Sequence, residues 1–97
     1  MKTFNDIQFF PSMGGNLKSR TEFDNGFELS VIAGEFAYST PRENSLDPDF
    51  FSEFEIAIFN DEGEFVTQDF FPDAGDDVMG WQTRADINSI MMVIQSK

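Results

Sequence analysis

Apolar and polar positions alternate most cleanly over residues 53–59, where Phe54, Ile56 and Ile58 share one side and Glu53, Glu55 and Ala57 the other. Period-two alternation marks a strand with one buried face. Residues 17–23 and 27–33 read as two further strands around Asp24-Asn25-Gly26, with Phe27, Leu29, Val31 and Ala33 opposite Glu28 and Ser30. Asn-Gly between two such runs predicts a hairpin, closed by a type I′ turn whose central residues both take positive φ. Asn60-Asp61-Glu62-Gly63 predicts a second hairpin, with Gly63 in the left-handed position of a bulge and residues 64–67 returning as the partner strand. Residues 1–10 have an untidier pattern and read as a first strand ending at Phe9-Phe10-Pro11, before a turn at Met13-Gly14-Gly15-Asn16.

Towards the C-terminus the period changes. Ile87, Ile90, Met91 and Ile94 recur at i, i+3, i+4 and i+7, which predicts a helix with one apolar stripe to lay on a sheet. Thr83, with Asp86 three residues on, supplies a capping-box start, and Lys97 suits the negative end of the helix dipole. Trp81, just ahead of the cap, is placed to pack beneath the helix entry. Thr40-Pro41, Asn44-Ser45 and Asp47-Pro48 make residues 38–51 a long surface loop with a helical turn at 48–51, and residues 69–80 read as irregular. The expectation is one acidic domain over residues 1–97, of α+β class. A small antiparallel sheet of four or five strands carries the C-terminal helix on one face.

Thirteen Phe against one Tyr and one Trp add a core to this pattern, because Phe is the aromatic of interiors and Tyr and Trp those of interfaces. Each buried ring contributes roughly 1.5–3 kcal/mol. Cysteine and histidine are both absent. That removes disulfides, the usual zinc sites, and Ser/His or Cys/His nucleophilic catalysis. The first residues show no apolar leader segment, and no run approaches the ~20 apolar residues of a membrane span. A chain of the cytoplasm is expected.

Charge changes the picture most. Eighteen acids stand against six bases, a net charge of −12, and the whole excess lies between Arg42 and Arg84, where there is no Lys or Arg at all. Such a surface repels nucleic acid and anionic lipid and attracts basic proteins or cations. In a strand, residues i and i+2 point the same way about 6.6 Å apart. Glu53 and Glu55 therefore form an outward pair that Glu28 extends on a neighbouring strand. Asp61, Glu62 and Glu64 add charge at the hairpin, Asp47 and Asp49 in the loop before it, and Asp73, Asp76 and Asp77 in the loop after it. Anions displayed in a row on a rigid sheet can stand in for a phosphate backbone, offering a DNA-binding groove the complement of its Lys and Arg. A solvated acidic surface kept for solubility has the same composition.

No motif supports other chemistry. The EF-hand spacing is absent, and Asp73-Ala74-Gly75-Asp76-Asp77 fixes no coordination geometry, so no metal and no cofactor is expected. A carboxylate pair for glycosidase-type acid/base work needs a cleft that so short a chain has little room to build. Gly14-Gly15 lacks the strand, lysine and helix of a phosphate loop. The chain reads as non-enzymatic, with no catalytic residues.

A short, acidic, cysteine-free chain opening Met1-Lys2-Thr3-Phe4-Asn5-Asp6-Ile7 and closing on Ile90-Met91-Met92-Val93-Ile94 resembles the anti-CRISPR proteins of phages and prophages. Within that family the likeness is to DNA-mimicking inhibition of the type I-F CRISPR surveillance complex. Anti-CRISPR proteins share no signature motif, so the resemblance assigns no residue roles. It implies a monomer in the cytoplasm of the bacterial host. The partner it implies is the basic DNA-binding groove of the CRISPR effector, occupied so that target DNA is excluded. Three other readings stay open on the residues alone: a DNA mimic of another DNA-binding enzyme, a phage structural or accessory protein docking to a basic partner, and a cation-binding module.

Overall fold

Burial alternates along two of the three long strands, and the third is buried on both faces over its second half. On β2 (Leu17–Glu22), Leu17, Ser19 and Thr21 are buried while Lys18, Arg20 and Glu22 are exposed. Leu29, Val31 and Ala33 of β3 (Glu28–Ala33) and Phe54, Ile56 and Ile58 of β4 (Phe54–Phe59) continue the buried face. A computed structural model describes residues 1–97 and shows a five-stranded antiparallel meander, completed by β1 (Phe10–Pro11) and β5 (Met79–Gln82) in the order β1-β2-β3-β4-β5. Two helices follow the chain order as α1 (Thr67–Phe70) and α2 (Arg84–Gln95). This is an α+β fold, as the patterning predicts.

Helix α2 lays Ile87, Ile90, Met91 and Ile94 on the buried face. Its start is fixed by a reciprocal cap: Asp86 N–H donates to Thr83 Oγ1 at 3.1 Å and Thr83 N–H to the Asp86 carboxylate at 3.0 Å. Arg84 ties that end to the β3–β4 connection by donating to the carbonyls of Phe51 (2.8 Å) and Pro48 (2.9 Å). The connection carries a 3-10 turn at Pro48–Phe50, capped by the Asp47 side chain. Far from being a surface loop throughout, it buries Ala37, Ser39 and Phe51 and closes that end of the core.

Four expectations are corrected. Residues 1–10 do not form a strand: Phe4–Asp6 is a 3-10 turn in which the Asp6 carboxylate accepts the Thr3 N–H at 2.7 Å, and only Phe10 and Pro11 join the sheet. The segment lies along α2 instead, where the Gln95 side chain exchanges two 2.8 Å hydrogen bonds with the Lys2 backbone. The first hairpin exists but its turn is not type I′. Gly26 alone has positive φ, and the bonds Gly26 N–H to Phe23 O and Phe23 N–H to Phe27 O repeat those of Gly63 and Asn60 in the second hairpin. Residues 64–67 give one isolated bridge, Phe65 to Phe59, before turning into α1, so the strand that pairs with the far edge of β4 is β5. Trp81 does not pack beneath the helix. It stands half-exposed at a positive φ of 56° where the β4–β5 register slips.

Thr67 holds the detour from β4 to β5. Its hydroxyl accepts the Ile58 N–H (2.9 Å) and donates to the Asp77 carbonyl (2.6 Å), and the side chain is fully buried. Replacing it by the isosteric valine strands a buried N–H and a carbonyl. Thr67→Val is expected to lower stability by about 2 kcal/mol in urea unfolding, where Thr67→Ser should cost clearly less.

Candidate acidic interface

An antiparallel meander sends alternate connections to opposite ends of the sheet. The β3–β4 connection, with Asp47 and Asp49, lies at the end where α2 begins. The β2–β3 and β4–β5 connections lie at the other. The candidate carboxylates therefore do not form one row. Asp47 and Asp49 are separated by the length of the sheet from Asp61, Glu62 and Glu64.

The strand carboxylates are the least free. Glu28 takes a 2.7 Å ion pair from Arg20. Glu53 accepts the Thr40 hydroxyl at 2.7 Å, and Glu55 accepts the Tyr38 N–H at 3.1 Å, each half-buried. Register also breaks the stripe: Glu55 faces Ile32, which faces Lys18, while Arg20 stands opposite Ser30. Basic and neutral residues thus interleave with the acids on the outward face.

The hairpin ends behave differently. Asp61 lies against Gly26, where a Cβ would be 3.6 Å from the Asp61 Cβ, so the two turns touch. Between them opens a cleft of about 300 Å³ with Glu22, Glu28 and Asp61 on its walls. Glu22 lies directly across the ladder from Glu28, an arrangement of like charges that costs stability. Asp61 and Glu62 accept no side-chain or backbone hydrogen bond, and Glu64 holds only Asn60 at 2.9 Å. Farther along the same connection Asp73 is free, Asp76 accepts the Asp77 N–H at 2.7 Å, and Asp77 accepts from Gln68 at 3.3 Å. Glu22 belongs with this group although it lies outside the base-free block. The register that places it opposite Glu28 could be counted from the first hairpin.

The cations explain why so many acids stand alone. Lys18, Arg20, Arg42, Arg84 and Lys97 all lie over aromatic rings, with Arg20 as close as 4.0 Å to the Phe59 centroid. Lys2 donates to the Glu22 carbonyl at 2.6 Å. Only two ion pairs form, and in the second, Arg84 to Asp49 at 3.6 Å, the aspartate side chain is 91% exposed.

A second feature has no counterpart in the patterning. The single Trp and the single Tyr of the chain pack against each other, Trp81 against Tyr38, with centroids 5.2 Å apart and ring planes tilted by 31°. The backbone N–H of Trp81 donates to the Tyr38 carbonyl at 2.9 Å, and a Cβ on Gly80 would come within 2.6 Å of the Tyr38 Cβ. Only glycine permits that approach.

No three carboxylates converge in a geometry that would hold a metal ion, and no helix is long and apolar enough to cross a membrane. Comparison with protein-family models, with curated proteins and with solved structures gives no match to this chain.

With uncompensated like charges at the hairpin end, stability should rise as salt screens them. The thermal midpoint is expected to increase by about 4 °C between low and physiological ionic strength. Neutralising that end with Glu22→Gln and Asp61→Asn should shrink the increase.

Proposed function

We propose that this chain is a stoichiometric protein inhibitor that acts as a DNA mimic. It blocks target DNA binding by a type I-F CRISPR surveillance complex, in the manner of the anti-CRISPR proteins it resembles. The observation that carries this reading is the base-free block of twelve carboxylates folded into a domain with only two ion pairs. Its field is left open to a partner rather than neutralised internally. A groove lined by Lys and Arg is the complement of such a field, and long-range attraction accelerates capture. The acidic hairpin end, with Asp61, Glu62 and Glu64 beside Glu22, is the part best suited to enter it. Of the strand carboxylates, Glu28 lies at that end and is braced by its ion pair with Arg20, while Glu53 and Glu55 are held by Thr40 and Tyr38 towards the other end of the sheet. The protein works as a monomer in the cytoplasm of the bacterial host and carries out no reaction.

The same field would suit the groove of a restriction enzyme or a repair nuclease, so the receiver is decided by competition. Preincubation of purified type I-F complex with excess protein is expected to abolish the gel shift of target DNA. Undiminished DNA binding would overturn the proposal. Reversing charge at Asp61, Glu62 and Glu64 to lysine should weaken inhibition at least about tenfold and flatten its salt dependence, whereas Glu43→Lys should change little.

A further inference from the structure

Tyr and Trp are enriched where proteins meet, and Arg joins them as the third common anchor. This chain has one of each ring and exposes both, Trp81 at 52% and Tyr38 at 43%. Trp81 pairs this exposure with a backbone conformation that a bulky residue rarely adopts. Strain of this kind persists only where surrounding structure imposes it. Here the Gly80–Tyr38 approach and the Trp81–Tyr38 hydrogen bond do so. The two rings line a shallow cleft of about 360 Å³ whose wall includes Asp76 and the apolar Val78 and Met79.

We infer that this cleft is an anchor site for an arginine side chain of a basic partner protein. The guanidinium stacks on Trp81 and the Asp76 carboxylate supplies the opposite charge. The inference rests on the acidic-surface reading for the sign of the partner's charge, and goes beyond it in naming a residue type and a seat. Charge complementarity chooses a cation for the Trp81 face, since Asp76 lies in a connection that also carries Asp73 and Asp77 and no base, while Arg42, 5.3 Å from the Tyr38 centroid, is held on the other ring. Arginine is favoured over lysine because its flat, weakly hydrated guanidinium stacks on rings. The chain's own arginines adopt this contact at Phe59, Tyr38, Phe4 and Phe54. Trp, the strongest ring acceptor of cations, is left without one of its own.

Trp81 is the only tryptophan, so its emission reports on this cleft alone. The intact protein is titrated with hexa-arginine and with hexa-lysine, following fluorescence and heat. Hexa-arginine is expected to bind about fivefold more tightly and to shift Trp81 emission saturably. Trp81→Gly, which suits the positive φ and so keeps the fold, should erase the preference while both peptides still bind in a salt-sensitive way. Asp76→Asn, which retains the oxygen that accepts the Asp77 N–H, should weaken hexa-arginine binding about threefold. Equal affinities with unchanged emission would overturn the anchor and leave the acidic surface standing, as would a preference that survives in Trp81→Gly. Binding of neither peptide would overturn both.

Discussion

Six cations among eighteen carboxylates set the constraint under which this chain folds. Ion pairing cannot hold such a molecule together, so cohesion must come from burying apolar side chains against the self-repulsion of the surface. The sheet and α2 meet that demand with a single apolar layer, and the N-terminal segment adds Phe4, Ile7 and Phe9 at its margin. The cations join the same effort. Arg84 lies 5.2 Å from Phe4 and 5.3 Å from Phe54 while holding two backbone carbonyls. Arg20 covers Phe59, which keeps that outward ring buried. Arg20 and Arg84 also make the only two ion pairs, to Glu28 and Asp49, and the other four cations pair with no carboxylate, so most of the eighteen acids stay unneutralised.

That trade also decides where the negative field is strongest. On β3, at the start of β4 and in the residue just before it, each carboxylate has a neighbour that can donate to it. Glu28 meets Arg20, Glu53 meets Thr40, and Glu55 meets the backbone of the chain crossing above it. At the second hairpin Asp61 and Glu62 have no such neighbour, because the N–H groups of Glu62, Gly63 and Glu64 are committed to Asn60. Glu28, Glu53 and Glu55 are therefore more quenched than Asp61 and Glu62. Reading a sheet as a ruler for phosphate spacing overlooks this. Period-two spacing sets direction but does not say what lies across the strand.

The elements that were legible were those whose local signals agreed with their surroundings. Helix α2 announces itself by its stripe and cap, and β4 by strict alternation. Less legible was anything set by pairing at a distance. Residues 64–67 had the composition of a return strand, but the buried Thr67 hydroxyl turns the chain aside, and no property of threonine in sequence reveals that role. The N-terminal turn could have been found: Thr3-Phe4-Asn5-Asp6 repeats the Thr-x-x-Asp spacing of Thr83-Arg84-Ala85-Asp86. At the site, the acidic residues were all visible, while their division between two ends of the sheet depends on topology. The Tyr38–Trp81 stack was invisible, since it joins residues from a loop and an edge strand.

Charge and shape then divide the work of recognition. Exposed carboxylates act over about a Debye length, roughly 8 Å at physiological salt, and bring a basic partner near without fixing its register. Register needs short-range contacts that are desolvated and directional. The hairpin end offers the first and little of the second, because its side chains are exposed anions on turns with an open cleft between them. The Tyr38–Trp81 pair offers the second, a rigid apolar seat held by a backbone hydrogen bond and a glycine contact. A surface made of charge alone would bind any basic groove with similar strength. Selectivity in such a molecule has to reside in the few neutral atoms it presents, and most of its rings are committed to the interior.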